Sequence, residues 1–567
     1  MALRIPEPFR IGLLSLLIAT GYFLIYGNYG WSDTDQGFIQ ALSYRITLGE
    51  VPYRDFLYIR PPLSPYLHSL SMLFLPDSVQ TLTERFLFYL FCATSVWLAT
   101  LALRTRFDFR QIGISPEFFA VIAFVFTVHN FPPMPWHTLD GIVFGSLGIY
   151  LISIARHWSI GYLGMMALLL SAMTKQAFYP MLLAGPVLMV FLRGGAESFK
   201  ASGAMLLSLL LLAGGVFVID KSLFQLFWEQ TTGATSLHDL FEAGVKPYIK
   251  PLLIIVLPLL VLREINNNYE LFSWVRHPML ILFGTTLLGL LGLHLVRALV
   301  QESYVPPSFG FSQASFLLTV LVAVKGIWID PRSHVLLLVM AFLAWCAGLS
   351  WGYATPMLFF TPLLFGCLYI LHQELDFVAP RYFYGIVFVL VAWVFAVLYQ
   401  YPYRDQPREM LNYDAGEVFP RLSRIYTGPY LFHKCKELKE LSSAYEGPFT
   451  VLPAFPLAHY LTQTAPPLPV DWAHNAEMAY DRNAQRLTEL LDREVRQVFM
   501  EIDKLDQLAD TSRYGSGLAR YVQENWTRVH TGKYFEIYMP PEDDARAAGT
   551  VYADSVVNAG RMPAIIY

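Results

Sequence analysis

Charged residues are scarce in this chain. Asp, Glu, Lys and Arg together make up 15% of its 567 residues, whereas apolar residues make up 55%. Soluble globular domains carry about 25% charged residues, so this composition argues against a soluble enzyme and is typical of a polytopic membrane protein. The formal net charge of −4 gives no indication of a nucleic-acid partner.

Cysteine is also rare. The four cysteines show no paired spacing, and the first three fall in apolar runs, so neither a disulfide framework nor a zinc site is predicted. The chain has no internal repeat and no low-complexity tract. Its first apolar run lacks a small-residue cleavage site, and we interpret it as a retained helix, not a removed signal peptide.

Long apolar runs predict about 13 transmembrane helices before residue 401, because a spanning helix needs roughly 20 apolar residues. Lys and Arg in the short loops favour a cytoplasmic N-terminus, which places the first loop, residues 31–79, on the exoplasmic face. We therefore predict a multi-pass protein surrounded by lipids of the inner (plasma) membrane. The predicted spans lie near residues 11–29, 80–103, 116–130, 138–155, 159–174, 177–192, 201–219, 249–263, 278–298, 311–328, 335–350, 355–372 and 382–400.

Residues 401–567 have the composition of a soluble domain. Strand-like runs begin at Phe449, Val498 and Lys533, and helical patterns cover residues 476–495 and 517–526. Strands separated by helices predict a soluble α/β domain. The domain organisation expected is thus a transmembrane domain over residues 1–400 and an exoplasmic, periplasmic or extracellular domain over residues 401–567.

The first loop carries two acids one residue apart, Asp33 and Asp35. Asp35 can cap a helix that runs to about Leu48, with Gly49 as its stop. A helix N-terminus favours ionised carboxylates, which can accept a proton or hold a divalent cation against a phosphate. Helix capping alone explains the two acids equally well. The apolar face of this helix predicts that it lies flat in the membrane interface, and it consists of Phe38, Leu42 and Ile46.

The same loop resembles the first exoplasmic loop of the GT-C superfamily glycosyltransferases, which include relatives of the protein O-mannosyltransferases and the lipid A aminoarabinose transferases. The family pattern is an Asp-Glu pair that opens an interfacial helix, a Gly-x-x-Pro-Tyr-x-Asp-Phe turn and a Pro-Pro step. This chain has Asp35-Gln36, residues 49–56 and Pro61-Pro62 at these places. Gln36 replaces the family's Glu, and Arg60 stands where His or Lys often precedes the prolines.

The resemblance implies an inverting transfer of sugar from a polyprenyl-phosphate donor to an envelope acceptor, which is a glycan, a lipid or a protein. Asp35 would be the general base, and Asp33 a supporting acid. A divalent cation, Mg²⁺ or Mn²⁺, is a possible cofactor, and Asp33 and Asp35 are its candidate ligands. The departing phosphate needs cations nearby, for which Arg54 and Arg60 are candidates. The motif residues assigned to substrate binding are Gln36, Tyr53 and Asp55.

Polar residues elsewhere at membrane depth are further candidates. Lys175 interrupts an apolar stretch, and a lysine there is costly unless it is paired or faces water. The Lys175-Gln176 pair also resembles a recurrent element of these transferases, and we assign Lys175 to the donor phosphate. A lysine that reaches for the membrane interface is the alternative.

Two other short loops supply candidate substrate-binding residues. Trp136, His137 and Asp140 lie at the start of a predicted helix, where His137 and Asp140 share a face, although a helix cap explains them as well. Tyr353 lies in a turn whose aromatic residues can stack on a sugar or form an interfacial belt.

Two other classes of protein compete with a glycosyltransferase. A transporter or flippase of lipid-linked saccharides would favour charges at the bilayer midplane and two related halves. A scaffold that binds cell-wall glycan through its soluble domain would leave the first loop unexplained. The change Asp35→Asn separates these classes, because only a transferase loses turnover while it keeps its fold and its donor binding.

Overall fold

The computed structural model describes residues 6–232, 237–258, 260–261, 312–349, 356–370, 372, 380–403, 406–505 and 515–541. The chain divides into two compact units, residues 1–432 and 433–567. The change to a soluble composition near residue 401 therefore does not coincide with this division, since residues 401–432 belong to the first unit.

Helices make up almost all of the first unit's described regular structure. The other element is a short antiparallel pair formed by β1 (Tyr413–Asp414) and β2 (Tyr426–Thr427). The helices are α1 (Glu7–Tyr26), α2 (Gly37–Thr47), α3 (Leu63–Phe74), α4 (Asp77–Arg104), α5 (Pro116–Val128), α6 (His137–Ile154), α7 (Trp158–Ala172), α8 (Met181–Arg193), α9 (Gly195–Ile219), α10 (Lys221–Thr231), α11 (Leu237–Gly244), α12 (Lys246–Pro251), α13 (Ser312–Ile327), α14 (Pro331–Gly348), α15 (Thr361–Tyr369) and α16 (Pro380–Gln400).

Among the described residues, 6 helical stretches are long and apolar enough to cross a bilayer. The total of about 13 spans stays a prediction, and the span predicted near residues 278–298 lies outside the described residues. Shorter apolar helices are α5, α7 and α13. The six long stretches are Glu7–Tyr26, Asp77–Arg104, His137–Ile154, Gln176–Arg193, Gly195–Ile219 and Pro331–Gly348.

Helix α4 lies at the centre of this unit and α9 at its edge. Of the apolar window in α4, 67% is buried inside the protein, compared with 6% in α9. The buried side of α4 presents Phe88, Cys92 and Val96 to the core. After Lys200 helix α9 is mostly apolar and has little surface buried among the described residues, which suits a lipid environment.

Helices α6 and α7 approach each other closely through two glycines. A Cβ atom on Gly148 would lie 2.8 Å from the Gly164 carbonyl oxygen, and a Cβ atom on Gly164 would lie 2.9 Å from the Gly148 carbonyl oxygen. Small residues allow the backbones of membrane helices to meet in this way. The Ser171 hydroxyl adds a 2.6 Å hydrogen bond to the Gly141 carbonyl oxygen.

The first loop contains the predicted helix as α2, but its surroundings differ from the prediction. Residues Gly37 to Arg45 are all buried, so α2 has no apolar face open to the membrane interface. Its polar side chains find partners inside the protein: Arg45 pairs with Glu50 at 2.8 Å, and the Ser43 hydroxyl donates to the Pro65 carbonyl oxygen at 3.0 Å. The expected interfacial face is therefore wrong, because this helix packs against α3 and its Gln40 side chain donates to the Thr81 hydroxyl of α4 at 3.4 Å.

The second unit contains a four-stranded mixed sheet in the order β3-β4-β6-β5. Strands β3 (Phe449–Leu452) and β4 (Gln497–Glu501) run parallel, whereas β6 (Phe535–Met539) is antiparallel to both β4 and β5 (Thr527–Thr531). Three strands lie where the sequence predicts them. Strand β5 was not predicted, because its TRVHT sequence is polar and mostly exposed.

The helices of the second unit follow the predicted positions with one interruption. The expected helix over residues 476–495 is divided, because Ala479 adopts a left-handed conformation with φ of 44°. The helices are α17 (Pro429–Ala444), which begins in the first unit, α18 (Ala458–Thr462), α19 (Asn475–Met478), α20 (Tyr480–Glu494) and α21 (Gly517–Asn525).

Candidate functional site

The Gly-x-x-Pro-Tyr-x-Asp-Phe motif forms a tight turn that Asp55 holds together. The Asp55 carboxylate accepts a hydrogen bond from the Val51 backbone N–H at 2.7 Å and pairs with Arg54 at 3.0 Å. The bond from Arg54 keeps the pKa of Asp55 below its usual value. Arg54 is 48% exposed, so its described contacts lie at the surface of the turn. The geometry gives Asp55 a structural task.

Tyr53 connects this turn to Arg60. Its φ of 72° is in the left-handed region, which non-glycine residues seldom adopt. Two hydrogen bonds hold it there: its hydroxyl donates to the Arg60 carbonyl oxygen at 2.7 Å, and its own carbonyl accepts from Gln230 at 2.7 Å. Tyr53 is 5% exposed, so it positions the backbone at Arg60 from inside the protein.

The segment around Arg60 is joined to the segment that carries Lys175. The Leu63 N–H donates to the Met173 carbonyl oxygen at 3.0 Å, and the Gln176 side chain donates to the Ile59 carbonyl oxygen. The two segments, residues 59–63 and 173–176, therefore lie next to each other. Two cations that lie 115 positions apart in the sequence thereby share one region of the first unit.

Arg60, Lys175 and His137 form what we call the cationic cluster. The Lys175 ammonium lies 3.4 Å from the Thr138 hydroxyl at the start of α6, and the charges of Arg60 and Lys175 both act on the His137 ring. His137 is 1% exposed, and within the described residues its Nδ1 has no hydrogen-bond partner. The sequence predicted these three residues separately, and the structure brings them together.

Asp35 is connected to the cationic cluster by the first turn of α2. The Phe38 N–H donates to the Asp35 carbonyl oxygen at 3.3 Å, and the Arg60 guanidinium stacks over the Phe38 ring at 5.0 Å. Asp33 is 6% exposed, whereas Asp35 is half-buried. The N-cap position of α2 belongs to Gln36, one residue later than the prediction, and its side chain makes no capping bond.

Gln36 is part of the supporting structure behind Asp35. It is fully buried, and its side-chain carbonyl accepts hydrogen bonds from Arg85 at 2.8 Å and from the Tyr403 hydroxyl at 3.0 Å. Arg85 also donates to the Gly27 carbonyl oxygen at 2.8 Å. Gln36 therefore ties α4 and the segment after α16 to the start of α2.

Asp140 contacts His68, a residue that the sequence analysis did not single out. His68 lies between Glu84, which accepts from its Nδ1, and Asp140, whose two oxygens lie 3.3 Å from its Nε2. All three side chains are at most 2% exposed. Burial lowers the pKa of His68, but the two carboxylates outweigh burial and raise it well above its usual value. We call these three residues the closed cluster.

Of the two remaining predicted residues, Trp136 and Tyr353, the structure describes only Trp136. Trp136 is half-buried, and its ring lies 4.6 Å from the His137 ring and 5.2 Å from the Phe131 ring. Tyr353 lies outside the described residues. The expected cap at the start of α6 is wrong, because Trp136 occupies the N-cap position and makes no side-chain capping bond.

Sequence reasoning missed His68, Glu84 and Arg85. A signal for two of them was present, because Glu84-Arg85 is a charged pair inside an otherwise apolar span, and such residues are functional or paired by default. His68 carried no signal, since its partners lie 16 and 72 positions further along the chain.

Among the described residues, neither a group of metal-ligating side chains nor the cavity of largest described volume points to this site. A cavity of about 980 Å³ lies near Glu7, Arg104 and Tyr150, at the opposite ends of α1, α4 and α6. The described residues contain no group of three or more His, Cys, Asp or Glu placed to hold a metal ion. In the closed cluster the two carboxylates sit on opposite edges of the His68 ring and share no common centre.

Comparison with known proteins gives no family. No family model and no curated protein matches this chain. Solved structures of the Archaeoglobus fulgidus oligosaccharyltransferase resemble it weakly. The complex with Zn and sulfate has a TM-score of 0.44 and 13% identity over 94% of this chain and 73% of that chain. The AglB complex with an inhibitory peptide and a dolichol-phosphate has a TM-score of 0.46 and 13% identity, over 95% and 74% of the two chains. The apo form has a TM-score of 0.42 and 11% identity, over 95% and 75%.

Proposed function

We propose that this protein is an inverting membrane glycosyltransferase. It would move a sugar from a polyprenyl-phosphate donor to an envelope acceptor, which is a glycan, a lipid or a protein. The reaction would take place at the exoplasmic face, where the positive charges of the loops place residues 31–79. The resemblance of residues 35–70 to the GT-C first loop supports the reaction class.

The observation that carries the proposal is the convergence of Arg60, Lys175 and His137 beside the start of α2. The Lys175 and Arg60 charges act together on one buried ring, and Arg60 lies over the first turn that follows Asp35. A phosphate leaving group needs positive charge where its own charge develops, and a hydroxyl acceptor needs a carboxylate to receive its proton. We assign the first role to Arg60 and Lys175 and the second to Asp35.

In the proposed reaction an acceptor hydroxyl oxygen attacks the anomeric carbon from the face opposite the phosphate. The new glycosidic bond forms as the bond from the anomeric carbon to the phosphate oxygen breaks, which inverts the configuration. Asp35 takes the hydroxyl proton, and the electron pair of the broken bond leaves with the polyprenyl phosphate. Arg60 and Lys175 stabilise that negative charge.

Asp33 would support Asp35 as the second acid of the site. Of the other predicted substrate contacts, Trp136 and His137 lie at the cationic cluster, where an indole ring can cover a sugar face. Gln36, Tyr53 and Asp55 would act through the backbone that they hold. Arg54 would be at most a peripheral contact, because it is exposed and paired with Asp55.

The residues present do not form a metal site by themselves. Asp33 and Asp35 are the candidate ligands, and the described residues add no third His, Cys, Asp or Glu to them. Gln36, where the family has Glu, is occupied by Arg85 and Tyr403. The proton and charge transfers described above therefore involve this chain's own side chains, and Mg²⁺ or Mn²⁺ dependence is a matter for measurement.

The decisive experiment compares the wild-type protein with Asp35→Asn in nanodiscs. Each is incubated with a panel of polyprenyl-phosphate sugars and a crude envelope acceptor, with and without EDTA. We expect the variant to lose at least about a hundredfold in turnover, as for removal of a general base. Its donor affinity and melting temperature should stay unchanged, because the substitution keeps the size of the side chain.

Three outcomes bear on the proposal. Transfer by the wild type alone supports it, and loss of transfer in EDTA would add a metal. Full transfer by Asp35→Asn would remove Asp35 from its assigned role. Binding of lipid-linked sugars without any transfer or hydrolysis would replace the proposal with the transporter or flippase.

A further inference from the structure

Three arginines meet at the end of the first unit opposite the candidate site. Arg106 lies two residues after the end of α4, Arg193 ends α8, and Arg332 lies in the first turn of α14. The distance from the start of α6, where His137 lies, to its end at Ile154 is roughly 27 Å for a helix of this length. The three arginines thus lie about one membrane thickness away from the cationic cluster.

Hydrogen bonds connect the segments that carry these arginines. Arg193 donates to the Ser153 carbonyl oxygen at 3.4 Å, which links α8 to the end of α6. The Ser333 hydroxyl lies 3.2 Å from the Arg106 carbonyl oxygen, which links α14 to the segment after α4. Burial lowers the pKa of Arg106, and the charges of Arg193 and Arg332 lower it further. Together with these two hydrogen bonds, the effect on Arg106 puts the three positive charges in one region of the first unit.

Within the described residues, the three arginines have no acidic side chain in direct contact. No carboxylate oxygen there lies within 4.0 Å of Arg106, Arg193 or Arg332. Asp330 acts on Arg106 from further away, and its oxygens are engaged by Ser333, one of them with the hydroxyl at 2.5 Å. Its negative charge therefore offsets only part of the three positive charges.

Two donors of the group are also unsatisfied. The Nε atoms of Arg106 and Arg193 are buried and have no hydrogen-bond partner among the described residues. A buried donor without an acceptor is unfavourable by about 1–3 kcal/mol, and more when it belongs to a charged group. A lone surface arginine that reaches for lipid headgroups keeps its donors in contact with water, which does not describe these two.

We propose that Arg106, Arg193 and Arg332 bind a phosphate group, supplied by the headgroup of an anionic phospholipid. Guanidinium groups match phosphate oxygens with paired hydrogen bonds, and three of them converge here without an acid in contact. A phosphate would accept hydrogen bonds from the terminal nitrogens of these guanidinium groups and offset their mutual repulsion. The site is separate from the proposed reaction, because it lies at the other end of the helices.

The bound group would join α4, α8 and α14 at that end. A ligand that binds only the folded protein raises the free energy of unfolding, by an amount that grows with the logarithm of the ligand concentration divided by its dissociation constant. The melting temperature rises accordingly. This makes thermal stability a direct readout that does not depend on sugar transfer.

The test uses the full-length protein in phosphatidylcholine nanodiscs. One arm adds increasing fractions of phosphatidylglycerol, and a second arm adds inorganic phosphate to the buffer. The melting temperature is recorded, and native mass spectrometry counts retained lipids. The triple variant R106Q/R193Q/R332Q should need at least about tenfold more anionic lipid for the same shift, the change in dissociation constant that 1.4 kcal/mol produces.

A matched control is R110Q, since Arg110 is 93% exposed and lies near Asp108 on the same side of the bundle. It should respond to phosphatidylglycerol like the wild type. If R106Q/R193Q/R332Q does not fold, R106K/R193K replaces it, which keeps the charge but loses the paired donors and should lower retention of the lipid.

Both arms address the phosphate site. A shift with phosphatidylglycerol alone assigns the site to a lipid headgroup, and a shift in both arms assigns it to phosphate in general. No shift in either arm, or an equal shift in wild type and R106Q/R193Q/R332Q, would overturn the proposal.

Discussion

The first turn of α6 separates two buried clusters that handle charge in opposite ways. On one side, Asp140 belongs to the closed cluster, where His68 lies between two carboxylates and every charge has a partner. On the other side, His137 belongs to the cationic cluster with Arg60 and Lys175, and its Nδ1 has no partner among the described residues. The comparison contrasts a cation that lies between two acids with two cations that act on one buried histidine.

The second unit contains another example of the closed kind. Lys434 is fully buried and contacts Glu501 at 2.7 Å and Asp503 at 2.9 Å. Glu501 also accepts from the Ala454 N–H at 2.6 Å. In both closed arrangements one cation lies between two acids, so we interpret them as structural. The cationic cluster differs in composition, because two cations act there on one buried histidine.

The largest expected effect comes from breaking the closed cluster. The change His68→Ala leaves two buried carboxylates without their cation, and loss of one partner from a buried ion pair costs about 3–5 kcal/mol. Thermal unfolding in detergent measures this loss. Tyr66→Ala is the matched control, because Tyr66 lies on the same helix and is 42% exposed.

A closed cluster without a structural role would give the same melting temperature in His68→Ala and Tyr66→Ala. If His68→Ala does not fold, Glu84→Gln is the milder variant, since it keeps the shape of the side chain and one acid partner for His68.

The next effect concerns the cationic cluster and should appear in donor affinity, not in stability. Loss of a charge-assisted hydrogen bond costs about 1.5–3 kcal/mol, so Lys175→Ala should weaken binding of a polyprenyl-phosphate sugar by roughly 10- to 150-fold. Arg54→Gln is the matched control and should change affinity less than about twofold, because exposed ion pairs contribute little. Equal affinities for Lys175→Ala and wild type would contradict the assignment.

The smallest effect is a pH dependence that belongs to the closed cluster alone. The folded-state pKa of His68 is raised above its unfolded value of about 6.5, so its contribution to stability is complete below that value and is lost as pH rises through the folded pKa. The difference in melting temperature between wild type and His68→Ala should therefore shrink toward alkaline pH. A difference that grows with pH would show that the histidine is neutral in the folded protein.

The sequence predicted local structure well where contacts are short-range. The helix that starts near Asp35, its end near Gly49 and the turn over residues 49–56 all depend on neighbouring residues. The role of Gln36 could not be predicted, because one of its partners, Tyr403, lies 367 positions away. In the same way, Arg54 and Arg60 look alike in the sequence, but only Arg60 stacks on α2.

The glycine contact between α6 and α7 bears on how a donor would enter the site. Thr138 lies in the first turn of one helix and Lys175 three residues after the end of the other, and Gly148 and Gly164 let these helices pack closely, so we expect them to move as one body. The ammonium and hydroxyl groups thus keep their spacing before any ligand arrives. Little conformational entropy would be lost on binding, so association should fit a lock-and-key process with a fast on-rate better than a slow induced fit.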